Sequence, residues 1–251
     1  MIELLAPAKV TWSLEVTGRR ENGYHELRAE MVTVALADRL ELDEGGDSLR
    51  LEGPYSGLPV DDDNLVRRAL TLVQRRADVV VHKEIPPGGG LGGGSADAAA
   101  ILRWAGGVSA DDALTLGADV PFCQLGGRAR VEGVGEVLTA LPFEERPLTL
   151  VLLSFGVATA ACYAAYDELL ASGERPRGRN HLMAAARLVE PRLGATIDWL
   201  EATLGNRVEL CGSGSTLFVE GHLETGVERW DVEGPAGLVQ FRQTTTTPRA
   251  S

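Results

Sequence analysis

The chain is short of positive charge. Its 24 lysines and arginines face 36 aspartates and glutamates, a formal net charge of −12. Nucleic-acid coats and polybasic membrane anchors need clustered cations, so no nucleic-acid or membrane partner is expected. A small anion remains admissible, because a nest of backbone N–H groups holds phosphate without net charge. Cysteine is scarce too: Cys123, Cys162 and Cys211 form no CxxC pair and read as buried, reduced thiols. The four histidines, His25, His82, His181 and His222, are scattered, without HExxH or a Cys/His cluster. Metal ligands therefore stay unassigned. Long apolar runs are missing. The most apolar stretch, Leu148 to Tyr166, is broken by Thr149, Ser154, Gly156 and Thr159 and reads as strand, break, helix. Met1 to Pro7 has no basic region and too short an apolar run for a secretion signal, so a cytoplasmic location is expected. There is no internal repeat, and no GxSxG elbow of an α/β-hydrolase.

What remains is an ordinary globular composition, 44% apolar and 24% charged, with one excess: 30 glycines in 251 residues. The length suits one large domain or two modest ones and buries a core without disulfides or metal. Val10–Val16, Met31–Leu42, Ser48–Glu52 and Val79–His82 read as strands. A helical face runs through Leu65, Val66, Ala69, Leu70 and Val73, with Asp61–Asn64 as its capping run. Ser95–Trp104 has helical composition. From Leu148 the pattern turns to strand, several helices (158–171, 182–189, 193–204) and strands again (208–211, 216–220, 238–242). A boundary near Pro147 is expected, giving units 1–147 and 148–251.

The strongest local signal is Pro86-Pro87-Gly88-Gly89-Gly90-Leu91-Gly92-Gly93-Gly94-Ser95, running straight into a helix. Six glycines in seven residues are entropically wasteful for a plain turn. Before a helix they let the backbone approach an anion and aim several N–H groups at it. No Lys-Ser or Lys-Thr follows, so this is not a Walker A loop, and no HRD or DFG motif marks a protein kinase. A dinucleotide fingerprint would want a parallel α/β unit, whereas antiparallel-looking strands come first. Asp119 in Leu116-Gly-Ala-Asp-Val-Pro121 is costly in an apolar stretch unless paired or used. Lys9 in Ala6-Pro-Ala-Lys9 is placed to face a carboxylate or phosphate. Gly23-Tyr24-His25 sets an aromatic beside an imidazole, a pair that can stack on and hydrogen-bond a planar base. Cys211-Gly-Ser-Gly-Ser215 is a second small-residue bend.

In this order the segments resemble the GHMP kinases. Ala6–Val10, Thr17–Arg20 with Gly23–Leu27, Asp63–Leu65, Ile85–Ala99, Leu116–Pro121, Glu132–Glu136 and Gly212–Ser215 carry the resemblance, which extends to about Glu220. The Gly-Tyr-His segment, and Gly-Ala-Asp-Val-Pro with Glu-Gly-Val-Gly-Glu, point within that superfamily to the branch acting on 4-diphosphocytidyl-2-C-methyl-D-erythritol. The resemblance implies an α+β, two-domain fold with nucleotide and substrate in the cleft between domains, and an ATP-dependent kinase with Mg²⁺ accompanying ATP. It implies Asp119 as the group that takes the hydroxyl proton and Lys9 as its neighbour. Pro87 to Ser95 would wrap the phosphates, and Asn64 and Lys83 would lie near the adenosine end. Thr11, Tyr24, His25 and Tyr163, with Asp119, would face the substrate and its cytosine. Three departures stand out. Thr11 replaces the usual asparagine, the segment from Trp104 to Leu116 is short, and His181 lies outside the pattern. The alternatives are a weakened relative that only binds nucleotide or cytidine ligand, a GHMP kinase for another small alcohol, and a dinucleotide-binding protein. A monomer or homodimer suits each.

Overall fold

The computed structural model describes residues 1–223 and 227–249. Two long strands organise it. β1 (Ile2–Arg19) and β2 (His25–Glu44) pair antiparallel and turn back through 20–24. The β1 register slips between Pro7 and Lys9, between Thr11 and Ser13, and between Val16 and Gly18. Bulges re-aim side chains, and the first two bracket Lys9 to Thr11. Ala8 to Trp12 are consecutively buried there. The strand therefore begins eight residues before the Val10 expected from alternation, with Pro7 tolerated beside a break in the ladder.

β3 (Leu49–Glu52) runs parallel to β4 (Ala77–His82), which pairs with β2; β5 (Arg128–Gly133) and β6 (Val137–Ala140) extend the sheet from β2. Four helices belong to this half: α1 (Leu65–Leu72), α2 (Gly93–Trp104), α3 (Ala110–Leu114) and α4 (Val120–Leu125). Asn64 alone caps α1, its side chain accepting from the Val66 N–H at 2.9 Å, while Asp61–Asp63 lie in the turn before it. α2 buries every residue from Ala96 to Leu102, so it is packed all round its middle.

β7 (Pro147–Leu153) lies between β9 (Leu217–Glu220) and β11 (Gly237–Thr247); β8 (Glu209–Leu210) pairs with β9, and β10 (Arg229–Gly234) makes a hairpin with β11. α5 (Thr159–Ala171), α6 (Met183–Val189) and α7 (Pro191–Leu204) complete this half. β10, and the extension of β11 through the threonine run, were not expected from the sequence. The end of β11 returns to β2, pairing Thr246 with Val34 and Thr247 with Thr33.

Two apolar cores result. One gathers Val10, Leu40, Ile101 and Phe122 and draws Leu148, Leu150 and Phe218 from the second half. The other gathers Tyr166, Leu193, Ile197 and Leu210 and draws Leu14 from the first. Among the described residues every ladder except β3–β4 is antiparallel. The described residues form no doubly wound parallel sheet, and the dinucleotide-binding alternative falls with it. The architecture is α+β. No helix among the described residues is long and apolar enough to cross a membrane.

Candidate active site

The glycine loop is built with its carbonyls turned inward. Leu91 O accepts from the Lys9 N–H at 2.9 Å, Gly89 O from the Thr216 N–H at 3.1 Å, and Gly92 O from Ala96 N–H at 2.8 Å. Gly90 O takes the Cys211 thiol at 3.4 Å. Apart from the turn at Pro87 and Gly88, none of the N–H groups from Gly88 to Ser95 donates to a protein acceptor among the described residues. They are left for a ligand, at the N-terminus of a twelve-residue helix whose dipole favours an anion. Two glycines are required by contact. A Cβ on Gly90 would lie 2.7 Å from Cys211 O, and one on Gly92, at φ +70°, would lie 3.0 Å from Lys9 Cγ. The loop thus rests on the 211–215 bend on one side and on Lys9 on the other. A cavity of about 250 Å³ lies along Pro86 to Ser95.

Lys9 is 4% exposed, and its Nζ reaches Asp119 Oδ2 at 3.2 Å and Thr11 Oγ1 at 3.1 Å. Burial pulls the ammonium's pKa down, but the Asp119 carboxylate together with the Cys211 and Cys123 sulfurs more than offsets it and the value is raised. Lys9 is therefore a cation at neutral pH. Asp119 sits at the start of α4, its side chain 30% exposed and reachable from the cleft. Thr11 is buried, and its hydroxyl accepts from the Lys9 ammonium.

Lys83 is 2% exposed and lies between two carboxylates, in contact with Asp38 Oδ2 and 2.6 Å from Asp97 Oδ2. Burial lowers its pKa, yet Asp97 and Asp38 raise it further, so it too stays charged. Asp38 also accepts the Glu84 and Ile85 N–H groups at 2.6 and 2.8 Å. Burial raises the Asp97 carboxyl, with Lys83 opposing, and its Oδ1 is buried without a partner. The Lys83 ammonium is thus occupied by protein, although its side chain lines a cavity of about 390 Å³ with Asn64, Leu65, Gly94 and Asp97. Among the described residues no group of three or more His, Cys, Asp or Glu side chains is placed to hold a metal ion.

At the far end a cleft of about 790 Å³ joins Lys9, Thr11 and Asp119 to Tyr24, His25 and Tyr163. The His25 ring stacks on Tyr163, centroids 4.7 Å apart and planes 24° apart, and Tyr24 is 61% exposed at the same cleft. Burial pushes the Tyr163 phenol up, so it stays neutral. The turn that presents Tyr24 is anchored by Arg20, which pairs with Glu26 at 3.1 Å and Glu136 at 2.5 Å. That contact ties the Thr17–Arg20 segment to Glu132–Glu136. The three cavities overlap: Leu65, Lys83 and Gly94 line the first two, and Gly90 and Ser95 line the loop cavity and the large cleft. One continuous groove therefore runs from Asn64, along the glycine amides, to Lys9 and Asp119, and on to the aromatic pocket.

Asp38, Asp97, Asp167 and Arg19 were missed in the sequence, because each gains meaning only from partners distant along the chain. One signal was available. The chain has only two lysines, Lys9 and Lys83, among its 24 cationic residues, and both are buried. Surface cations here are arginines, so a lysine is itself a mark of an interior position.

An antiparallel α+β fold whose glycine loop aims free amides along an open groove at a Lys–Asp pair defines a GHMP kinase, and the GHMP kinases N terminal domain model matches residues 64–127. The 4-diphosphocytidyl-2-C-methyl-D-erythritol kinase of Jannaschia sp. is 39% identical over 90% of this chain and 90% of its own length. That of Deinococcus radiodurans is 39% identical over 86% and 83%. A crystal structure of 4-(cytidine 5'-diphospho)-2C-methyl-D-erythritol kinase superposes with a TM-score of 0.73 at 33% identity, covering 100% of both chains. A mevalonate kinase shares the fold alone, with a TM-score of 0.58 at 13% identity. The chain belongs to the 4-diphosphocytidyl-2-C-methyl-D-erythritol kinase family.

Proposed function

We propose that this protein transfers the γ-phosphoryl group of ATP to the 2-hydroxyl of 4-diphosphocytidyl-2-C-methyl-D-erythritol, releasing ADP, in non-mevalonate isoprenoid biosynthesis in the cytoplasm. The observation that carries this reading is the order of features along one groove. Donor amides, a Lys–Asp pair and a base-sized aromatic pocket follow one another, so two ligands entering from opposite ends meet at Lys9 and Asp119. The division at residues 147 and 148 would set the groove between the two halves.

In this reading the free N–H groups of Gly88 to Ser95 hold the β- and γ-phosphates, and Asn64, with the walls around Lys83, takes the nucleoside end. ATP enters as its Mg²⁺ complex. Mg²⁺ would accompany ATP on its phosphates and neutralise part of their charge, with Ser95 as the nearby hydroxyl. Asp119 accepts the proton of the substrate hydroxyl as its oxygen bonds to the γ-phosphorus and the bond to the ADP oxygen breaks. Lys9, charged and fixed by Asp119 and Thr11, stabilises the negative charge developing on the transferred group. Tyr24, His25 and Tyr163 receive the cytosine. Thr11 holds the lysine, which favours an active enzyme over a weakened binding relative.

Initial rates of ADP release test the assignment. ATP, Mg²⁺ and the cytidine substrate should give turnover, and mevalonate and homoserine should give little. Turnover with either of those instead, and none with the cytidine substrate, would move the protein elsewhere in the superfamily.

A further inference from the structure

Asp167 stands on α5 one turn beyond Tyr163, so both reach the same face of the cleft. Both of its oxygens are engaged. Oδ1 lies 2.7 Å from His25 Nε2, and Oδ2 lies 3.1 Å from the Arg19 guanidinium. The His25 ring is further fixed by the stacked Tyr163 and by Tyr166 edge-on at 6.2 Å. A carboxylate only accepts, so the short contact requires a proton on His25 Nε2. In a neutral imidazole the other nitrogen, Nδ1, then presents a lone pair. Nδ1 has no hydrogen-bond partner among the described residues and is not sealed from solvent, and His25 lines the cleft.

Cytosine and uracil differ along one edge: the first carries an exocyclic amine beside an unprotonated ring N3, the second a carbonyl beside a protonated N3, so a lone pair facing the 4-position tells them apart. A fixed lone pair accepts from the amine and repels the carbonyl, and a site built to hydrogen-bond a group rejects the analogue lacking it. We propose that Asp167 is a positioning residue that locks His25 in its Nε2–H tautomer, and that Arg19, Asp167 and His25 together make the pocket choose cytosine over uracil. This rests on the cytidine-substrate reading above. The Arg19–Asp167–His25 chain also ties the ends of β1 and β2 to α5, and a clamp alone would affect both bases equally.

The test compares binding of CDP and UDP by calorimetry in the wild type, Asp167→Asn and Asp167→Glu, with nitrogen NMR of the histidine rings at neutral pH. Asparagine keeps the size, but its amide donates to Nε2 and turns the ring to the Nδ1–H tautomer. Glutamate keeps the carboxylate. The wild type should prefer CDP by roughly tenfold or more and show His25 as the Nε2–H tautomer. Asp167→Asn should lose most of that preference, show the altered tautomer, raise KM for the cytidine substrate and leave KM for ATP unchanged; Asp167→Glu should retain the preference. Preserved selectivity in Asp167→Asn, an equal loss of CDP and UDP affinity, or a wild-type His25 that is imidazolium or Nδ1–H would overturn the role of Asp167 alone. A wild type that does not prefer CDP would overturn the cytidine reading and this inference together.

Discussion

At the scale of single residues, the chemistry of the groove depends on charges that are buried and paired. Lys83 is the cation between two buried carboxyl groups, so Lys83→Met would leave Asp38 and Asp97 without a cation. Removing one partner of such a cluster costs about 3–5 kcal/mol, which urea unfolding should register at neutral pH. Thr11→Val keeps the shape but removes the hydroxyl that holds Lys9; kcat should fall severalfold with KM for ATP unchanged, and an unaltered kcat would make Thr11 a packing residue only. The buried thiols set an alkaline limit. Burial pushes Cys123 up to about 12 and Cys162 up to about 11, and raises Cys211. A raised folded-state value means the contribution is complete below the unfolded thiol value near 9.0 and is lost as pH climbs through the folded values. Lys9, also raised, adds a loss of the same sign at still higher pH. Thermal unfolding should therefore show Tm declining from about pH 9 upward, and Cys162→Ala should flatten part of that decline. The reactive types at this scale, Lys9, Asp119, Tyr24 and His25, were legible as unusual residues in unusual company. Their partners were not: Asp38 lies 45 positions from Lys83, and Asp167 lies 142 from His25.

At the scale of elements, the loop from Gly88 to Gly94 works because its carbonyls are consumed by β1, α2 and the 211–216 bend. Gly92→Ala would force an L-residue into φ +70° and set its Cβ against Lys9 Cγ. The conformation alone costs about 1–2 kcal/mol. The displaced lysine should lower kcat as well, whereas a change confined to KM for ATP would separate the loop from the catalytic pair. Helices and their order were largely readable from apolar spacing, and α1, α2, α5, α6 and α7 lie close to their expected ranges. Strands were read less well where composition misleads. Ala6-Pro-Ala-Lys9 looks like a lead-in, yet lies within β1, because bulges absorb what a regular ladder would not. The threonines from Thr244 to Thr247 look like low complexity, yet alternate between buried and half-buried positions along β11. In that strand Thr244 and Thr246 are the buried members.

At the scale of the whole molecule, β11 is the seam. It pairs with β7 along most of its length and with β2 at its end, where the Thr33 hydroxyl donates to Thr247 O at 2.9 Å and the Thr246 hydroxyl donates to Glu144 O at 2.8 Å. Truncation after Gln243 should uncouple the two halves, so that calorimetry resolves two unfolding transitions where the full chain shows one. A single transition in the truncated protein would assign the coupling to the shared core around Leu148, Leu150 and Phe218 instead. This closure was not legible in the sequence, since no local pattern says which strand the last one joins. The antiparallel character of the first half was legible, and it separated a kinase loop from a dinucleotide fingerprint. The deficit of positive charge also finds its physical answer here. In the proposed reading the groove would offer phosphates the free amides of the loop and one protected lysine, so anion binding would not depend on the sign of the molecule.

The central claim is that Asp119 takes the proton of a cytidine-linked alcohol while Lys9 and the loop hold the transferred phosphoryl group. It is tested most directly by steady-state rates of Asp119→Asn beside the wild type, with 4-diphosphocytidyl-2-C-methyl-D-erythritol, ATP and Mg²⁺. The account predicts wild-type turnover and a kcat lowered by about 10²-fold or more in the variant, with both KM values little changed. A variant within a few-fold of the wild-type rate would contradict it.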